Sequence, residues 1–482
     1  MEIDTRHAKL LKLLGEELDS RFPLVARLDR YHAGYPDIPE HVKEIKQETE
    51  YRILMRQAVT NWPELIVDSV EERLEVVGFD FGNEELNDKA WDLWQSAERE
   101  SGSGPLHEAT LTDGRAFVIV WPTQEGGVNI VNEHASTVVV SYDPQTGEAE
   151  AALRRWRDDD TWYANLYLPE GLYKFQSDGK SRSSEWKRRD VPGEAWPLPN
   201  LFNPIVPVVE FAVNPSLSGL QSSHNPLGEP RTLSRVFGSA HGEFERVLPV
   251  IDRVNTTIFA GLLSQAFASF PVRALIGDPI NYRPTVDSDG EAVVDDSGNP
   301  VMEAVEPFKA AVNRVIQIEN PDGKLIQLPQ SSLDHYIKFA ESHIRHLAAV
   351  TKTPAHYLLG EMINISADAI RAAEAGLISK IRKHQRSLGN SHARVIRLAL
   401  MAQGEEHEVP AMVKTKWRNP ETRSQAEQAD AAAKLAQILP WQALAEKILN
   451  ATPQEITAWE AQRASDGLAA VLGQVPSGEP VG

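Results

Sequence analysis

The chain has no cysteine. Disulfides, thiolate metal sites and thiol catalysis are therefore excluded, and the composition fits a reducing compartment. No apolar run approaches the length needed to span a bilayer, so no membrane is expected as a partner. Phosphate-binding glycine loops are missing too. Gly179-Lys180-Ser181 has Lys174 where the first glycine of a P-loop would stand, which leaves no cradle for nucleotide phosphates. G-x-G-x-x-G, H-E-x-x-H and G-x-S-x-G do not occur. Positive charge is scarce, with 49 Lys and Arg against 69 Asp and Glu and a formal charge of −20. A protein that grips nucleic acid normally carries the opposite sign, whereas an acidic surface suits DNA that must pass without sticking.

What is present is 482 residues, room for two to four domains, with 41% hydrophobic content. The N-terminal "MEIDTRHAKLLKLLGEELDSRF" predicts an amphipathic helix with acids in its first turn, without the apolar core of a signal peptide. Helix is expected to about Asn61, broken at Pro23 and at Tyr31–Pro39. Ala58–Phe79 reads as a helix (Leu65, Val67, Val70, Leu74) ending in a strand, and Trp91 and Trp94 as a buried stripe one turn apart. Leu106–Phe175 reads as an antiparallel β meander, and "PIVPVVEFAVNP" as one more strand. From Ser239 to Phe270 the spacing is helical, with Pro249 as a kink or near the start. Pro271–Gln330 is a compact insertion of strands and turns, including a hairpin across Asn320–Gly323. Helix resumes over Ser331–Thr351, capped at Ser332. Ser366 to Ala402 is a single pattern of roughly 36 residues, about 54 Å long, with its seam at Ile370, Leu377, Ile381, Leu388, Val395 and Leu398 and a bend at Gly389-Asn390. The C-terminal part is Ala-rich and helical, with caps in "NPETRSQAEQ" and "TPQEIT". The fold class is α+β, predominantly helical, with a small α/β insertion.

Between the last two long patterns stands "TKTPAHYLLGEMINISADAIRAAEAG". Thr353-Pro354 should end one helix and Ser366 cap the next. The residues between are too apolar for a solvent loop, and they anchor the turn or form a surface. Other candidates for chemistry are weak. His343 and His346 are three apart on a helix with His335 and have only Glu341 near, so an ordinary partly exposed helix outweighs a metal site. Asp287–Gly298 lacks the acids and the closing Glu of a calcium loop, and Asp158–Asp160 is a turn. From Ser366 to Arg397 there are seven basic and two acidic residues. Lys380, Arg382, Lys383 and Arg386 lie in the centre of this run and meet solvent, a neighbouring subunit or a phosphate backbone. No cofactor, metal or catalytic residue is assigned.

The phrases "YHAGYP", "ELIVDSVEERLEVVGF", "VVVSYDPQTGEAEAALRRW", "NPIVPVVEF", "LAAVTKTPAHYLLGEMINISADAIRAAEAGLISKIRKHQRSLG" and "WRNPETRSQAEQADAAAKL" run in order over most of the chain. In them the chain resembles the portal, or head-to-tail connector, proteins of tailed bacteriophages of the siphovirus type found in actinobacteria. The Thr-Pro-x-x-Tyr-Leu-Leu-Gly block is the most diagnostic. A departure lies at Glu229–Arg246, where the family's opening to the first long helix is more acidic.

The resemblance implies a portal fold: a wing over 1–238, stem helices over 239–270 and 331–351, a clip over 271–330, a channel loop over 352–365, a long wing helix and return over 366–418, a helical crown over 419–472 and a tail over 473–482. It implies a ring of about a dozen copies at one capsid vertex of the virion, assembled in the host cytoplasm. Such a ring nucleates head assembly, conducts double-stranded DNA without sequence preference and is not an enzyme. Its partners would be the terminase large subunit, a head-completion or adaptor protein, and the major capsid and scaffolding proteins. Lys352, Thr353, Pro354, His356, Tyr357, Leu358, Met362 and Asn364 then fall in the channel loop. Arg253, Lys338 and Arg345 fall on the stem, and Asp287, Asp289, Asp295 and Asp296 on a motor-facing clip. The long apolar seams are expected to exceed what one chain can bury, as in a ring. The alternatives are another phage head-morphogenesis protein, a hydrolase with a dispersed site, and a sequence-specific DNA binder, which the charge opposes.

Overall fold

The computed structural model describes residues 3–37, 49–123, 127–143, 145–179, 185–192, 194–215, 240–268, 273–276, 282–286, 291–295, 298–304, 324–327, 333–360, 366–404, 410, 412–421, 425–449 and 451–472. By its contacts the chain divides into two units. One is Met1–Thr49, Val59–Asn255 and Glu341–Gly482, and the other is Glu50–Ala58 and Thr256–Ala340.

In the larger unit helix α1 (Thr5–His32) starts where Asp4 accepts the Arg6 N–H at 3.1 Å. Of the expected acids, Asp4 thus precedes the first turn rather than lying in it, and Glu2 lies outside the described residues. Pro23 does not break this helix, contrary to expectation. A mid-helix proline costs roughly 3 kcal/mol. Here the buried stripe of Leu11, Leu14, Leu18, Val25, Leu28 and Tyr31 continues through it. Burying each such side chain contributes about 1.5–3 kcal/mol, so packing wins over the missing bond. Helix α2 (Thr49–Ala58) follows in the chain and belongs from Glu50 to the smaller unit, and the larger unit continues with α3 (Trp62–Glu71), strand β1 (Val76–Asp80) and α4 (Glu84–Ser96). In α3 it is Ile66, not Leu65, that turns inward, since Leu65 is exposed. On α4 Trp94 is buried and stacks on the half-buried Trp91 at 6.5 Å.

Leu106–Asp113 is helical rather than β: α5 spans Arg99–Asp113. Its glycines, serines and proline hide the helix from a propensity reading, but Leu106, His107, Thr110 and Leu111 are buried along it. Strands β2 (Arg115–Pro122), β3 (Val128–Glu133), β4 (Val138–Tyr142), β5 (Ala149–Asp158), β6 (Thr161–Leu168), β7 (Gly171–Ser177), β8 (Lys187–Arg188), β9 (Leu198–Pro199) and β10 (Val208–Ala212) make two antiparallel sheets. The meander β4-β5-β6-β7-β8 holds as expected, with β9 on β7, and β10-β2-β3 forms a second sheet. Leu11, Leu14 and Leu18 of α1 cover one face of the meander (Val139, Leu153, Leu166, Phe175). Its other face (Val138, Val140, Tyr142, Tyr167) packs on Phe117, Ile119 and Val208 of the second sheet. Asp159 and Asp160 form the hairpin tip between β5 and β6, where Arg157 holds Asp160 at 2.9 Å.

Helix α6 (Leu248–Ala268) begins later than expected, after a 3-10 turn at Glu245–Val247, and Pro249 sits in its first turn. An 18-residue window in Glu245–Ala266 has a mean hydropathy of 1.2. By length and composition alone it could cross a membrane, contrary to the sequence reading. Val254 and Phe259 are among the residues it buries. Helix α7 (Asp334–Thr351) starts at Asp334, and Ser332 lies outside the described residues. Then come α8 (Ala355–Leu359), α9 (Ala367–Ala402), β15 (Lys414–Trp417), α10 (Gln425–Leu435), α11 (Trp441–Lys447) and α12 (Pro453–Leu472). Ser366 caps α9 through the Ala369 N–H at 3.3 Å, as expected. Thr452 and Glu455 form a reciprocal capping box before α12, with bonds of 2.7 and 3.2 Å. Strand β15 pairs with β1. Its Thr415 hydroxyl donates to the Gly389 carbonyl at 2.7 Å, and a Cβ on Gly389 would stand 3.0 Å from Trp417 Nε1. Gly389 therefore lets β15 approach α9 closely while the helix runs on unbroken.

The seam of α9 is buried within the single chain at Leu377, Ile381, Leu388, Val395 and Leu398, which corrects the expectation that copies are needed to cover it. Ser387 and Ser391 donate to the Ala212 and Glu210 carbonyls at 2.7 and 2.8 Å, fixing α9 along β10.

In the smaller unit the described residues of the insertion include no helix and hold short strands and isolated bridges. Strand β11 (Arg273–Ile276) pairs with β14 (Lys324–Gln327), and β12 (Tyr282–Pro284) with β13 (Met302–Ala304). The first arm of the expected hairpin across Asn320–Gly323 lies outside the described residues.

Candidate functional site

The junction from α7 to α9 is built by helix-end chemistry. Lys352 is left-handed, with φ 55°, and the Thr353 N–H reaches back to the Ala348 carbonyl at 3.1 Å. This is a Schellman stop with lysine where glycine is usual. A non-glycine residue there costs on the order of 1–2 kcal/mol. Pro354 then precedes α8, and Gly360 (φ 68°) closes it with a bond to the His356 carbonyl at 3.0 Å. The expected loop thus opens with a short helix, because Pro354 presets the chain direction and Leu358 is buried beneath it.

Two polar clusters hold this junction. Tyr357 Oη accepts from Arg73 Nη2 at 2.8 Å and donates to Glu374 Oε1 at 2.6 Å. It so ties α8 to the chain after α3 and to α9. Burial, then the bond to Glu374, raises the pKa of Tyr357. The second cluster centres on Glu243. Lys380 Nζ lies 2.8 Å from Glu243 Oε2 and donates to the Thr351 carbonyl at 2.8 Å. His384 Nε2 lies 2.8 Å from Glu243 Oε1, and Asn214 donates to the same oxygen at 2.7 Å. Burial alone would raise the Glu243 carboxyl, but the Lys380 charge and the His384 ring overcome it and hold it well below the usual carboxylate range. Gly242 is required beside it, since a Cβ would stand 1.9 Å from the Thr112 carbonyl oxygen.

The residues singled out in the sequence therefore divide. Thr353, Pro354 and Leu358 are buried, Tyr357 is a half-buried anchor and His356 is half-buried. Only Lys352 is exposed, and it makes no ion pair among the described residues. Met362 and Asn364 lie outside the described residues. On α9 Lys380 is an internal cation rather than a surface charge. Arg371 and Arg382 pair with Glu427 and Glu421. Lys383 and Arg386 are exposed and make no ion pair among the described residues. Arg253, Lys338 and Arg345 are exposed on α6 and α7, Arg345 paired with Glu341 at 3.4 Å. That pairing takes the one carboxylate considered for a metal with His343 and His346. In the insertion Asp287, Asp289 and Asp296 lie outside the described residues. Asp295 Oδ1 accepts the Asn299 N–H at 2.9 Å, so it shapes a turn.

Sequence reasoning missed Glu243, Asn214, Arg73 and His384. They come from segments far apart in the chain, and no spacing links them.

A family model described as "Phage portal protein, SPP1 Gp6-like" matches residues 11–467. The portal protein of Mycobacterium phage L5 is 25% identical over 439 residues, covering 88% of this chain and 82% of the relative. That of Mycobacterium phage D29 is 25% identical over 448 residues, covering 88% and 83%. Among solved structures, the neck of an empty GTA particle computed with C6 symmetry aligns at a TM-score of 0.38 and 11% identity, over 81% of this chain and 90% of that one. A score this low does not establish a shared fold.

Proposed function

The chain belongs to the SPP1 Gp6-like family of phage portal proteins, and from that membership we propose that about a dozen copies form a ring at one capsid vertex. The ring conducts double-stranded DNA during packaging and ejection, docks the terminase and later the head-completion proteins, nucleates head assembly and performs no catalysis. The observation that carries this is the family match, which runs in one span from α1 into α12.

In this reading α6 and α7 are the stem, β11–β14 belong to the clip, α10–α12 form the crown and the rest is wing. Residues 352–365 form the loop at the channel, with Lys352 as its charged contact to passing DNA. Exposed apolar side chains support packing between copies, notably Ile337, Phe339 and Val350 on α7 at 57%, 56% and 63% exposure. The acidic balance supports weak, salt-sensitive contact with DNA rather than a grip. Exposed Lys383 and Arg386 meet a neighbouring copy in preference to DNA, because Arg371 and Arg382 on the same helix already pair with acids.

The test is depletion of this chain from infected cells. Heads formed without it should be empty or aberrant, and restoring the chain should restore DNA-filled particles. Filled heads made without it would end the proposal.

A further inference from the structure

Three side chains far apart in sequence meet in the larger unit. Asp29 comes from the last turn of α1, Asp113 from the end of α5, and His134 from the residue after β3. One ligand atom from each lies within 4.8 Å of the others. His134 Nε2 is 2.9 Å from Asp113 Oδ2 and 3.4 Å from Asp29 Oδ1. The Asp113 side chain is wholly buried, and its Oδ1 has no hydrogen-bond partner among the described residues. A buried carboxylate oxygen left without a donor is costly, and a cation is one way to satisfy it.

The backbone around the cluster is fixed. Gly114 follows Asp113 at φ 82°, and a Cβ there would stand 2.7 Å from the His241 nitrogen. Ser136 stands behind the imidazole, with its hydroxyl 2.9 Å and its backbone nitrogen 3.3 Å from His134 Nδ1. The hydroxyl can accept a proton from Nδ1 and the N–H can donate to it, so either tautomer is served. With Nδ1–H donating to Ser136, Nε2 ligates by giving up the proton it shares with Asp113 and Asp29, so binding releases a proton. The base of the cluster is closed by Asp113, while the Asp29 and His134 side chains are 45% and 34% exposed, which gives an ion access from solvent.

We propose that Asp29, Asp113 and His134 bind a divalent transition metal of the zinc class, with water in the remaining position. One imidazole and two carboxylates suit such an ion, whereas calcium requires six to eight oxygens. Bound there, the ion staples α1, the end of α5 and the connection from β3 to β4.

The experiment uses the full chain without an affinity tag, dialysed at neutral pH against micromolar zinc and assayed for bound metal and thermal midpoint. One zinc per chain is expected, with a midpoint that rises on zinc addition. Asp29→Asn and His134→Gln should each weaken binding at least about tenfold and abolish the rise. Asp29 is only half-buried, so its variant should fold even if one at Asp113 does not. No uptake by the unaltered chain would overturn the proposal. So would uptake of unchanged affinity in both variants, which would place the ion elsewhere.

Discussion

Acidification should withdraw the stability contributed by one buried pair. His107 and His392 are fully buried, with their Nε2 atoms 2.8 Å apart. One nitrogen must donate and the other accept, so protonating the acceptor breaks the bond and sets the Nε2–H of a buried cation against the partner's Nε2–H. Trp94, Phe211 and Trp417 ring His392, and the Arg99 charge also acts on it. Burial, followed by the Arg99 charge, lowers His107 from 6.5 to about 3. The unfolded state binds this proton below pH 6.5 and the folded state does not until about pH 3, so stability falls as pH drops through that window. Between pH 7 and pH 5 the loss from His107 alone is about 2 kcal/mol. His392 is also lowered and adds to it. Above pH 5 Glu243 stays ionised in both states, since its ordinary value is 4.5. Asp113, raised to about 6, and His134, raised to about 10, gain stability over the same range, so the measure is the difference between wild type and variant in urea unfolding at the two pH values. His107→Gln with His392→Gln lowers stability at pH 7 but should flatten the pH dependence by about 2 kcal/mol or more. Parallel losses in wild type and variant would refute the reasoning.

Two further substitutions probe the junction after α7. Lys380→Ala removes the cation beside buried Glu243 and the donor to the Thr351 carbonyl. His384 and Asn214 still hold Glu243, so the cost should sit near the lower end for a broken buried pair, about 3 kcal/mol. A urea-unfolding loss under about 1 kcal/mol would contradict it, and adding Glu243→Gln should cost less than the separate losses combined. Lys352→Gly removes the left-handed strain and should raise the thermal midpoint, corresponding to about 1 kcal/mol. A lower midpoint would mean that the lysine side chain stabilises the stop.

Much of the fold was legible because it rests on periodicity. The apolar seam of α9, the strands of the meander and the Ser366 and Thr452 caps all follow local rules. Failures came where tertiary packing overrode local propensity. Pro23 sits inside α1 because the stripe beneath it continues, and α5 forms from a glycine- and serine-rich segment because its inward face is filled. The junction was half legible. Thr-Pro marked the stop and apolar residues marked an anchor, but the partners of Tyr357 and Lys380 arrive from residues 73, 374 and 243, which no local pattern connects. Lys380 shows the limit most plainly: in sequence it belongs to a basic run, while in the fold it is an internal counter-ion.

The central claim is that copies of this chain close into a conduit. Light scattering of the purified chain, with imaging of the same particles, tests it directly. A dozen chains of 53.5 kDa should give a particle of about 640 kDa with an axial hole. A particle that stays at 53.5 kDa or twice that, at every concentration and in the presence of its head proteins, would contradict it.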